Sequence, residues 1–104
     1  MADPVSPVSP IEAEILGEQT SALARATRLL EDALQRLEQA TRAAAAASRS
    51  AALRTEALAE ARELLWNVLV QREAMGILHH EILYDALRVP AEVRVHPRPR
   101  AVAR

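Results

Sequence analysis

Apolar residues recur with a helical period from Pro10 to about Ala47. Leu16, Leu23, Leu30 and Leu37 stand seven apart, while Ala26, Ala33, Ala40 and Ala47 stand three places after Leu23, Leu30, Leu37 and Ala44. Large knobs at one position and small residues at the other make a seam of heptad type. Ile15, Ala22, Leu29 and Leu34 lie beside it and widen it into the stripe of a bundle helix. Ser9 is placed to cap this helix, Pro10 suits its first position, and Glu12 and Glu14 complement the positive end of the macrodipole. On the outer face, Arg28 with Asp32, Asp32 with Arg36, and Glu38 with Arg42 are spaced for i,i+4 ion pairs. The pattern predicts a first helix over about 10–47.

The stretch Ala43–Ala47 followed by Ser48, Arg49 and Ser50 has no side chain large enough to hold a core. Reversing the chain there would bury a second apolar stripe, which helix propensity alone cannot outweigh. A turn is therefore expected at about 48–52, with Ser48 or Ser50 as the next cap, and a second helix at about 53–88. Ala57, Ala61, Leu64, Val68, Met75, Ile82 and Ala86 share one face of it. Leu64, Leu65, Trp66, Val68, Leu69 and Val70, however, point in every direction around the axis, and a helix apolar all round must be buried all round. A two-helix hairpin covers one side only. The expected architecture is an all-α, long antiparallel helical hairpin that dimerises into a four-helix bundle, with Leu64, Leu65, Trp66, Leu69 and Val70 at the interface. Gly76 is either a break that lets 77–88 fold back as a third helix or a smooth point of close approach; the continuous or kinked helix is preferred. A turn of helix is expected at 91–93 after Pro90, and the hairpin domain ends there, at about residue 93. Residues 1–9, with Pro4 and Pro7, read as a disordered leader, and 94–104 as a basic, disordered tail.

Composition narrows the class. The chain has 104 residues and is 50% hydrophobic, with Ala 22 times, Leu 14 times, one Trp, one Tyr and no Phe. These are helix-forming residues, and a β-sandwich or doubly wound α/β domain is excluded. A net charge of -1, spread along the chain, is no nucleic-acid footprint. All basic residues are Arg, as the codon bias of a GC-rich bacterial genome would give. There is no Cys, so disulfides, thiolate metal sites and Cys nucleophiles are ruled out. The first residues lack the basic start and apolar run of a signal peptide, and no stretch reaches the length of a membrane span. A soluble, cytoplasmic protein without membrane contact is expected.

Candidate chemistry is sparse. The heptad leucines suggest a zipper, yet the residues before Leu16 are acidic and Pro-rich, so the DNA-contacting half of a basic zipper is missing. Gln71-Arg72-Glu73 is the most distinctive polar cluster. A turn near Arg49 brings Arg72 close to Arg25 and, one turn along, to Glu18, while His79 faces Glu18. An ion-pair cluster of Glu18, Arg72, Glu73 and His79 that fixes helix register is expected; a ligand site around Arg72 is the alternative. A metal site of His79 or His80 with Glu14 or Glu18 across a dimer is a further alternative, but no Glu-x-x-His of the di-iron type is present. No nucleophile or acid–base pair stands out, so no catalytic residue, metal or cofactor is assigned, and an enzyme is not expected. Arg94, Arg98, Arg100 and Arg104 with His96 make a local basic excess without aromatic residues for base stacking, which favours a solubilising tail.

Taken together, Glu12-Ala-Glu-Ile15 with Gly17-Glu18, Trp66 before Val70-Gln-Arg-Glu-Ala74, Gly76, His80, and Tyr84 before Pro90-Ala-Glu-Val93 resemble the pattern of a family of short bacterial helical proteins of unknown function. The resemblance spans about residues 11–93 and implies a small all-helical protein with no activity to carry over. The function expected is a non-catalytic, self-associating structural or interaction module, a homodimer, with an unknown protein as the other candidate partner. A regulatory adaptor that binds a protein or nucleic acid through its ends, and a metal- or small-ligand-binding bundle, are the alternatives.

Overall fold

The computed structural model describes residues 9–46 and 50–95, the side chain of Ala46 excepted. The expected leader up to residue 8, positions 48 and 49 of the turn expected at 48–52, and the tail from 96 to 104 lie outside the described residues, whereas positions 50–52 of that turn are already helical, since alanine continues a helix readily. Three α-helices occur among the described residues: α1 Pro10–Ala46, α2 Ser50–Ala74 and α3 Glu81–Leu87.

α1 begins where its sequence says it should. The Glu12 N–H donates to Ser9 Oγ, and the Ser9 N–H donates to Glu12 Oε1, both at 3.1 Å. This reciprocal capping box satisfies two otherwise orphaned donors. α1 and α2 then run antiparallel: Arg36 pairs with Glu60 at 3.1 Å, and Arg54 Nε donates to Thr41 Oγ1 at 2.9 Å. That register agrees with a reversal near Arg49. Of the three expected pairs on α1, Glu38–Arg42 forms at 2.8 Å, whereas Arg36 reaches across to α2 and away from Asp32. The cross-helix carboxylate is available to it only once the hairpin has closed. Between the helices, Leu30, Leu37 and Leu65 are buried beside Ala26, Ala33 and Ala61. Small residues opposite large ones let the two helices interdigitate at the density of a protein interior.

The expected continuation of the second helix to residue 88 is not what forms. α2 stops at Ala74, and Gly76 adopts φ +88°, in the left-handed region. Ile77 N–H donates to Arg72 O at 2.9 Å and Gly76 N–H to Glu73 O at 3.0 Å, the two bonds of a Schellman turn. Only Gly enters this conformation without a Cβ penalty, so Gly76 is a helix stop, not a point of helix–helix approach. The face read across it is lost as well. Ile82, predicted to continue the apolar face, is 81% exposed, and Ala86 is exposed, while Leu83 takes the buried position at 7%.

Beyond Gly76 the chain returns along the hairpin. α3 closes on a second Schellman turn, with Val89 N–H to Tyr84 O at 2.9 Å and Arg88 at φ 54°. Pro90 O accepts the Val93 N–H at 3.0 Å, which makes the helical turn expected at 91–93. Leu83, Val89 and Val93 join Leu65, Val68 and Leu69 in one buried cluster. The return segment, residues 77–95, thus covers much of the surface that was expected to require a second chain. Leu65 and Leu69 are buried by the chain itself, Leu64 and Trp66 are half-buried, and Val70 alone of the five expected interface residues is exposed.

Past the end of α2 no such cover exists among the described residues. α1 has 37 residues and α2 has 25, and the register leaves the start of α1 running past the end of α2. Every residue from 10 to 21 is exposed, an arm of about 18 Å at 1.5 Å per residue. The molecule is accordingly elongated, 65 × 34 × 21 Å.

Candidate functional site

The polar cluster forms, but with different members and for a different reason. Arg72, in the last turn of α2, donates from Nε to His80 Nδ1 at 3.1 Å and from a terminal nitrogen to the His79 backbone carbonyl at 3.1 Å. Arginine can only donate, so Nδ1 must accept and the ring proton belongs on Nε2. That nitrogen lies 3.1 Å from Glu73 Oε2. His80 is therefore held between neighbouring α2 residues, at the position that leads into α3. The Schellman turn at Gly76 creates this arrangement by carrying residues 79 and 80 back over the end of α2.

Glu18 takes no part, since it sits on the exposed arm, and His79 contributes only its carbonyl. The expected pairing of Arg72 and His79 with Glu18 presumed a second helix continuing in line past residue 74. Among the described residues, no group of three His, Asp or Glu side chains is arranged to hold a metal ion. His80 spends both ring nitrogens on Arg72 and Glu73.

A second polar set lies about Glu92 and was not anticipated. Arg54 of α2 binds the Glu92 carboxylate and the Thr41 hydroxyl of α1 together, so one half-buried guanidinium ties all three layers. Arg62 Nε donates to the Glu92 backbone carbonyl at 2.9 Å. Arg94 Nε donates to Val89 O at 2.9 Å, and its guanidinium carbon stands 4.8 Å from the centre of the Tyr84 ring, within cation–π range. Arg94, expected at the head of a loose basic tail, is thus part of the folded segment. Nothing local in the sequence marks these contacts: Arg54 and Glu92 are 38 residues apart, and they meet only because Gly76 turns the chain. Between α1 and the return segment lies an open groove of about 680 Å³, with Glu31, Asp32 and Glu38 on one wall and Arg88 and Pro90 on the other.

The remaining surface of note is apolar. Ile11, Ile15, Leu16 and Leu29 of α1 are at least half exposed. No described helix is long and apolar enough to cross a membrane. A family model, described as a family of unknown function, DUF6665, matches residues 1–97. The chain belongs to that family. The match runs through the arm, the hairpin and the whole return segment, so the DUF6665 pattern includes both the covered and the uncovered apolar surfaces. No curated protein and no solved structure matches this sequence.

Proposed function

We propose that this DUF6665 protein is a non-catalytic interaction module that acts by pairing with a second copy of itself. The observation that supports the reading is the arm of α1. A capped helix of good composition is extended well past its intramolecular partner, and its apolar side chains Ile11, Ile15 and Leu16 stay in contact with water. A helix that buries nothing is marginal by itself, so an amphipathic arm of this kind gains stability when another helix covers it. The polar clusters favour the same reading. Arg72, Arg54, Arg62 and Arg94 each spend donors on closing the chain on itself, through one ion pair and several bonds to backbone carbonyls and a histidine, which is a structural role.

Sedimentation equilibrium of the full chain over a range of concentrations tests this. The expected species has about twice the 11.4 kDa of one chain, with a mass that falls on dilution. A single 11.4 kDa species at every concentration up to about 1 mM, the limit of weak association, would overturn the reading.

A further inference from the structure

On a helix turning 100° per residue, Ile11, Ile15, Ala22 and Leu29 fall within about 40° of one another and form a single stripe along α1. The stripe begins on the uncovered arm and continues onto the part of α1 that packs on α2, where Leu29 still has 54% of its surface exposed. On one flank of that stripe stand four charged side chains, all exposed: Glu14, Glu18, Arg25 and Arg28. Their order is asymmetric. Before Arg25 the arm carries Glu12, Glu14 and Glu18 and no basic residue; Arg25 and Arg28 follow as the next charges. A flank that is acidic at one end and basic at the other complements itself when inverted.

The geometry points to an antiparallel, two-fold pairing of two α1 helices along this stripe, with Glu14 and Glu18 of one copy opposite the partner's Arg28 and Arg25. A two-fold axis perpendicular to two antiparallel helices brings the same flank of each together, so every pair occurs twice. In that register, Ile11 and Ile15 of each arm meet the partner's Leu29, and Ala22 lies near the axis, where its small side chain lets the helices approach. A parallel two-fold pairing would instead set this flank against the opposite flank of the partner, the side on which Ala26 and Leu30 are buried, so the four charges would not meet one another. The inference deepens the self-association proposed above and rests on it: it names the surface, the direction and the register.

Charge reversal in full-length protein tests it. E14R/E18R makes the flank wholly basic and R25E/R28E makes it wholly acidic; each is expected to weaken the homodimer about tenfold or more, because exposed pairs of modest individual strength are replaced by repulsions at four places. The two variants mixed in equal amounts should form a heterodimer. The combined variant E14R/E18R/R25E/R28E, whose flank is again self-complementary, should regain the wild-type dimerisation constant even though its arm now carries Arg near a helix N-terminus. If the wild-type dimer persists and neither reversal shifts its constant, or if the combined variant fails to recover, this pairing is wrong while self-association stands. A wild-type chain that stays monomeric overturns both.

Discussion

Two regions of the molecule, the paired body of the hairpin and the arm of α1 that runs past it, face the same physical problem and meet it differently. At the closed side, the run from Leu64 to Val70 surrounds α2 with apolar groups that one partner helix cannot cover, and the chain supplies a second layer by turning back at Gly76. At the open side, α1 carries its apolar stripe past the end of α2, and no described segment returns to cover it. The difference lies in local chemistry. A left-handed glycine, a short polar cluster and two Schellman turns reverse the chain after Ala74, whereas Ser9 and Glu12 launch α1 in a straight line. Apolar content therefore says that a surface must be covered; the turn residues decide whether the chain itself can do it.

The largest way to break this comparison is at its doubly covered centre. Leu65 is fully buried, in the cluster that joins residues of α1, α2 and the return segment. Leu65→Ala should lower the free energy of unfolding by about 2–5 kcal/mol, with urea titration followed through Trp66 fluorescence as the measurement. A loss below about 1 kcal/mol would mean that the return segment does not pack as described. A smaller effect is expected at the hinge. Gly76→Ala places a Cβ in a left-handed residue with no atom within 4 Å, so it should be destabilising by about 1 kcal/mol through the backbone alone. A stabilised, more helical variant by circular dichroism would instead mean that α2 prefers to continue. The smallest effect should come from the arm. Leu16 occupies the same heptad position as Leu30, yet Leu16→Ala should change monomer stability by no more than about 0.5 kcal/mol, measured by the same titration at a concentration below dimer formation.

That last contrast also explains what the sequence could and could not reveal. Periodicity located α1 to within a residue, and the alanine-rich stretch placed the reversal well enough to set Arg36 against Glu60. Periodicity cannot tell where a seam loses its partner, because Leu16 and Leu30 are identical in pattern and differ only in the length of the opposing helix. It also carried the second helix across Gly76, because Ile82 and Ala86 happen to fall in phase with Val68 and Met75. The deciding fact there was a backbone dihedral angle. The candidate cluster was half legible for the same reason. Arg72 and Glu73 could be singled out as polar residues inside an apolar run, but His80 becomes their partner only once the chain has turned, and Glu18 is lost by the same turn. Arg54 and Glu92 had no local signature at all.

α3 has seven residues, too few for a helix to persist by itself in water. It forms only while docked, so its coiling is coupled to the joint burial of Leu83, Val89 and Val93 with Leu65, Val68 and Leu69, and to the closure of Arg54 on Glu92. The cover over the hairpin is thus all-or-none. A chain that loses it bares an apolar strip along α2, a second adhesive surface separate from the α1 stripe proposed for pairing.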